Sequence, residues 1–74
     1  MNVNIRLFAT LRQGRFSRQS IELPAGSRLM DVLARLNIGR HEVSIRILNG
    51  STAEWDAPIG EGDTVSLFPL VGGG

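Results

Sequence analysis

The sequence predicts one small α+β domain, with strands disposed around a single helix in the order β-β-α-β-(β)-β. Three observations carry this. Residues 2–8 and 18–23 alternate apolar and polar side chains with the period of a half-buried strand. Leu29, Val32, Leu33 and Leu36 fall at i, i+3, i+4 and i+7, one stripe of an amphipathic helix. A strongly apolar closing run, residues 65–71, has the character of a buried strand and leads straight into Gly72, Gly73 and Gly74.

Taken in order, the first strand turns Val3, Ile5 and Leu7 to one face and Asn2, Asn4, Arg6 and Phe8 to the other. Residues 9–17 are polar around Gly14 and read as a loop. The second strand, with Ile21 and Leu23 inward, pairs with the first as a hairpin and stops at Pro24-Ala25-Gly26. Ser27 is the candidate N-cap, Asp31 complements the positive end of the helix dipole, and Met30 at N3 leaves the capping box incomplete. Asn37-Ile38-Gly39 supplies the stop, with Gly39 the expected left-handed cap. Residues 42–48 alternate again, which turns Val43, Ile45 and Ile47 inward and Ser44 and Arg46 outward. Asn49-Gly50 is a hairpin turn. Residues 51–56 make a short edge strand, Trp55 covers one end of the core, and residues 57–59 form a single turn. Gly60-Glu61-Gly62-Asp63 turns tightly into the last strand, where Val65 and Leu67 point inward. Pro69 cannot donate to a ladder, so pairing is expected to stop there.

Seventy-four residues make one domain near the lower limit for a self-sufficient core. Without cysteine there is no disulfide, thiolate metal site or cysteinyl nucleophile. The net charge of +1 gives no electrostatic case for nucleic acid. No apolar run approaches a membrane span and no signal sequence opens the chain, so a cytoplasmic location is expected. Charge is unevenly spread: residues 1–37 carry +4 and residues 38–74 carry −3. Every basic side chain is arginine, so no side-chain amine exists to accept an isopeptide bond.

The catalytic inventory is nearly empty. One histidine, His41, stands without a second ligand at metal spacing, and lysine, tyrosine and cysteine are missing. Gly60-Glu61-Gly62-Asp63 is no phosphate loop, because Val65 replaces the third glycine and a strand follows instead of a helix. No catalytic residue of its own and no bound cofactor or metal are expected.

What remains is the end of the chain and the surface at its base. A glycine run links nothing there; it presents an unhindered α-carboxylate on a tether without side chains. The expected division is a folded domain over residues 1–71 and a flexible tail over 72–74. Extended, the chain from Leu70 to the last carboxylate reaches roughly 13–16 Å, enough to enter a partner's active site. On the outward parity, Phe8, Phe68 and Leu70 form an apolar patch at the base of the tail if first and last strands are neighbours.

Strand order, the Asn49-Gly50 turn, Gly60-Glu61-Gly62-Asp63 before the last strand and the terminal Gly73-Gly74 together resemble the ubiquitin-like sulfur carriers. Residues 5–12, Ile-Arg-Leu-Phe-Ala-Thr-Leu-Arg, and Leu67-Phe68-Pro69 look like the small subunit of molybdopterin synthase. Glu54-Trp55 looks more like the sulfur carrier of thiamine thiazole synthesis, and Leu70 stands where the molybdopterin branch has a second proline. The resemblance implies a β-grasp fold: a mixed sheet of four to five strands, one helix across it, and parallel, adjacent first and last strands. It also implies that a ubiquitin-activating-type enzyme, using ATP and magnesium, adenylates Gly74, which sulfur then converts to a thiocarboxylate. The partner that spends the sulfur is then the large molybdopterin synthase subunit, or alternatively a thiazole synthase or the acceptor of another thiocarboxylate-dependent pathway such as amino-acid sulfuration. A reading of another class is a non-catalytic interaction module or protein modifier that uses the apolar patch. Neither nucleic acid nor membrane is an expected partner.

Overall fold

The computed structural model describes residues 1–70; the expectations for Val71, Gly72, Gly73 and Gly74 lie outside them. Five strands form one mixed sheet: β1 (Asn2–Leu7), β2 (Arg18–Glu22), β3 (Val43–Leu48), β4 (Ser51–Thr52) and β5 (Thr64–Pro69), in the spatial order β2-β1-β5-β3-β4. The helix α1 (Leu29–Leu36) lies between β2 and β3 in the chain. β1 pairs antiparallel with β2 and parallel with β5, in the register Ile5 to Val65 and Leu7 to Leu67. That is the expected β-grasp, with β5 central and the crossover carrying the helix, since parallel neighbours need a long connection.

The core follows from the alternation. Val3, Ile5, Leu7, Val65 and Leu67 of the two central strands are buried, as are Leu29, Val32 and Leu33 of α1. Leu36 and Trp55 pack against this cluster from the side. The helix starts one residue later than the sequence predicts. Arg28 is its N-cap, with its backbone N–H donating to Asp31 Oδ2 at 2.7 Å, while the Ser27 hydroxyl donates to the Pro24 carbonyl. Asp31 is therefore N3 and supplies one half of a capping box. The amides of Leu29 and Met30 donate to the carbonyls of Ala57 and Trp55, so the 54–59 segment satisfies donors that a helix start leaves free. At the other end Asn37, not Gly39, takes the left-handed position, at φ 58°; asparagine is among the residues that tolerate it.

Three further expectations change. The polar segment after β1 holds a 3-10 turn, Ala9–Arg12, that drives Leu11 into the core. Pro69 does not end the pairing: it is buried in β5 opposite Val43, and the Leu70 amide still donates to the Glu42 carbonyl at 3.1 Å. Successive residues aim their backbone groups to opposite sides of a strand. The Leu67 carbonyl accepts from Phe8 on the β1 side, so the missing N–H of Pro69 faces that side too, just past the end of β1. The edge turn is also displaced, to residues 54–57, and Pro58 instead forms a bridge with Arg28.

The largest correction is in β3. A register shift between Val43 and Ile45 places Ile45 opposite Phe68, Arg46 opposite Leu67, Ile47 opposite Ser66 and Leu48 opposite Val65. One extra residue reverses the face of everything after it. Ile45 and Ile47 therefore lie on the sheet face away from the core, while Arg46 and Leu48 share the parity of the buried residues. Arg46 resolves its position by laying its guanidinium over the Trp55 ring, 4.5 Å from the centroid, and by pairing with Glu54 at 3.5 Å.

Candidate docking face

Among the described residues none covers the sheet face opposite α1, and that face carries the sequence-predicted patch. The Phe8 amide donates to the Leu67 carbonyl at 3.2 Å, which continues the parallel register by one residue and sets Phe8 beside Phe68. Their rings stack with centroids 4.2 Å apart and planes 10° from parallel. Beyond Phe8, Ala9 takes a positive φ of 51° and the chain turns away into its 3-10 turn, so nothing from β1 extends over the rings. Both phenylalanines are half-buried.

Leu70, one residue past the end of β5, is 70% exposed. The structure thus brings Phe8 and Phe68 into contact and leaves Leu70 exposed just beyond β5, the last of the described residues. Ile45 is the residue that alternation misses. The register shift carries it to the position opposite Phe68, where it is 47% exposed. A signal is present in the apolar residues of the stretch, since Val43, Ile45 and Ile47 share one parity and Leu48 holds the other; no single face can bury all four.

Beside the strip, the Arg6 guanidinium lies over the Phe8 ring at 5.3 Å from its centroid. At the far end of the sheet the turn into β5 is tied together by Asp63. Its carboxylate accepts from the Asn49 side chain at 3.0 Å and from the Gly60 amide at 2.7 Å. The Asn49 hydrogen bond, and then the Gly60 amide, hold the Asp63 carboxyl below its ordinary value. This stabilised carboxylate anchors a turn; it is a poor proton donor or acceptor near neutral pH. No group of three metal-ligating side chains occurs among the described residues, and His41 is exposed on the 3-10 turn Arg40–Glu42. No helix of the described residues is long and apolar enough to cross a membrane. On this face the arrangement offers an apolar strip for contact.

The sequence matches the ThiS family over residues 5–74. The chain belongs to the ThiS family. By family it is a ubiquitin-like sulfur carrier. No curated protein sequence matches it at a significant level. Among solved structures, it is similar to a Pyrococcus furiosus protein described as molybdopterin converting factor, subunit 1. The two share 28% identity at a TM-score of 0.80, over 96% of this chain and 99% of that one. It is also similar to a chain in the complex of subunits 1 and 2 of the molybdopterin-converting factor from Helicobacter pylori. That match has 25% identity and a TM-score of 0.69, and covers 100% of both chains. Small archaeal modifier protein 1 of Haloferax volcanii shares the fold at 20% identity and a TM-score of 0.78, over 95% of this chain and 98% of that one.

Proposed function

We propose that this chain carries sulfur as a thiocarboxylate on Gly74 and delivers it for dithiolene formation as the small subunit of a molybdopterin synthase. The observation that carries the reading is the apolar strip of half-buried Phe8 and Phe68 with exposed Ile45 and Leu70, gathered around the end of β5, the last strand before the terminal glycines. It supplies a surface on which a partner can hold the domain while residues 72–74 reach its active site. Likeness over nearly the whole chain to molybdopterin converting factor subunit 1 supports that pathway.

The chemistry asks little of this chain beyond its terminus. A carboxylate is a poor acyl donor, so an adenylating partner joins Gly74 to AMP from ATP and releases pyrophosphate. Hydrosulfide then attacks the acyl carbon and the bond to AMP breaks, leaving the thiocarboxylate, AMP and a proton. A persulfide donor reaches the same product through an acyl disulfide that a thiol cleaves. Gly72 and Gly73 serve by having no side chain to obstruct entry, and the catalytic groups, ATP and magnesium belong to the partners. The large subunit takes two such sulfurs for each dithiolene.

A second reading, sulfur delivery to a thiazole synthase, is favoured by the ThiS family match itself. Purified thiocarboxylated chain separates the two. Supplied with the large synthase subunit and cyclic pyranopterin monophosphate, it should revert to carboxylate as molybdopterin appears. Consumption only in the presence of the thiazole synthase and its substrates would move the chain to the other pathway.

A further inference from the structure

We infer that Arg6, Arg12 and Arg18 form a second recognition element beside the apolar strip, one that takes an acidic segment of a protein partner. The inference rests on the proposed docking of partners at the Phe8–Phe68 strip, and adds a charge requirement to it.

Arg6 of β1 and Arg18 of β2 are directly opposed in the antiparallel register. Arg6 shares the outward parity of Phe8, so the two guanidinium groups leave the sheet on its uncovered face. Like charges placed directly across a strand pair destabilise it. No carboxylate among the described residues pairs with either guanidinium to offset this. Arg6, Arg12 and Arg18 are all exposed, and the single ion pair among the described residues joins Arg46 to Glu54. The one carboxylate of β2, Glu22, stands opposite Asn2, at the other end of the hairpin. Two shallow cavities of ≈ 200 and ≈ 360 Å³ adjoin here; Arg6 and Arg18 line both, and Arg12 and Phe8 line the smaller.

The chemistry of the occupant follows from this arrangement. Guanidinium groups pair with carboxylates or phosphates through parallel hydrogen bonds. A small phosphate ligand is usually gripped by convergent backbone amides at a loop or helix start, whereas Arg6 and Arg18 rise from an open sheet face and Arg12 from the 3-10 turn beside it. The cluster is also continuous with the apolar strip, because Arg6 is held against the Phe8 ring. A surface with an apolar strip and a basic flank is complementary to a protein with an apolar depression and an acidic flank. Such a flank steers encounter and fixes orientation. The unfavourable opposition of Arg6 and Arg18 is relieved when carboxylates come between them.

Two readouts move in opposite directions if this is right. The double variant Arg6→Gln/Arg18→Gln should melt no lower than the parent, since a repulsion is removed. It should bind the adenylating enzyme or large synthase subunit at least tenfold more weakly at low salt, with a shallower salt dependence. Arg35→Gln, an exposed arginine on α1, serves as the control and should bind as the parent does. A probe independent of the proposed function is a hexaglutamate peptide titrated into labelled protein and followed by amide chemical shifts. Shifts should cluster at residues 6, 12 and 18 and vanish in the double variant. Inorganic phosphate giving the same shifts at equal concentration would assign a small-anion site instead and overturn the inference. Absence of peptide shifts there, or double-variant affinity for both enzymes within twofold of the parent, would overturn it too. If the peptide maps to the cluster but no thiocarboxylate forms on the chain, the recognition element stands and the sulfur-carrier reading falls.

Discussion

The two faces of the β1–β5 pair are built from the same strands, yet they have opposite physical fates. On one, Val3, Ile5, Leu7, Val65 and Leu67 are essentially without solvent contact beneath α1. On the other, Arg6, Ser66 and Phe68, with Ile45 of the neighbouring β3 beside them, form a surface that carries the Phe8–Phe68 stack. Alternation along a strand puts stability and recognition on adjacent residues. Each can then be altered while the other is kept, and the contrast can be tested in that way.

The largest effect belongs to the covered face. Leu33, buried near the middle of α1, loses both transfer energy and packing on truncation. Leu33→Ala should cost about 2–4 kcal/mol in a denaturant titration, a large share of the stability of so small a domain. A cost under about 0.5 kcal/mol would mean the helix contributes little to the core.

On the open face the effect should shift from folding to binding. Phe68→Ala loses its stack with Phe8, worth about 0.5–1.5 kcal/mol. It should weaken the partner complex by about 1–3 kcal/mol, as for an aromatic anchor. Calorimetry against the adenylating enzyme and the large subunit, beside a melt of the free variant, gives both numbers. Unchanged affinity for both partners removes Phe68 from the interface.

Ile45 sharpens the comparison, because its face depends on one register shift. Ile45→Ser should cost less than about 1 kcal/mol in the free protein, as for an exposed position. If β3 ran without the shift, the same change would bury a hydroxyl in the core and cost several times more. Equal destabilisation by Ile45→Ser and Leu33→Ala would return Ile45 to the covered face.

Smallest is the acid response of the turn into β5. The Asp63 carboxyl titrates below its ordinary value of 3.8 in the folded chain. Its contribution is therefore complete above that value and is lost as pH falls through the lower folded pKa. The stability difference between parent and Asp63→Asn should stay constant near neutral pH and shrink in melts below about pH 4. A difference that is constant down to the most acid conditions would show the carboxylate to be idle.

The parts of the molecule that obey a strict period are legible in the sequence alone. β1, β2, the stripe of α1 and the Val65–Leu67 alternation all fall where the sequence puts them, and so does the pairing of Phe8 with Phe68. The departures share one physical origin, a tertiary choice between locally equivalent options. Val43-Ser44-Ile45-Arg46-Ile47 alternates without interruption, so the added residue in β3 leaves only the change of parity at Leu48 as a trace, and the period assigns Ile45 to the wrong face. Leu11 sits in a polar run, and only the 3-10 turn reveals that it points inward. Ser27 is the better cap by residue type, but carbonyls from residues 55 and 57 reach the helix amides and favour Arg28. Pro69 has the signature of a terminator because the sequence does not say which side of β5 lacks a partner.

The central claim is that Gly74 carries the reacting group while the folded domain serves to dock it. The most direct measurement is intact mass after incubation with the adenylating enzyme, ATP and sulfide, for the parent and for a chain lacking Gly74. The parent should gain the mass of sulfur in place of oxygen. The shortened chain should melt as the parent does and react at least about 100-fold more slowly, since its carboxylate is misplaced by one residue. Equal thiocarboxylate formation by both chains, or none by the parent with its cognate enzyme, would contradict the account.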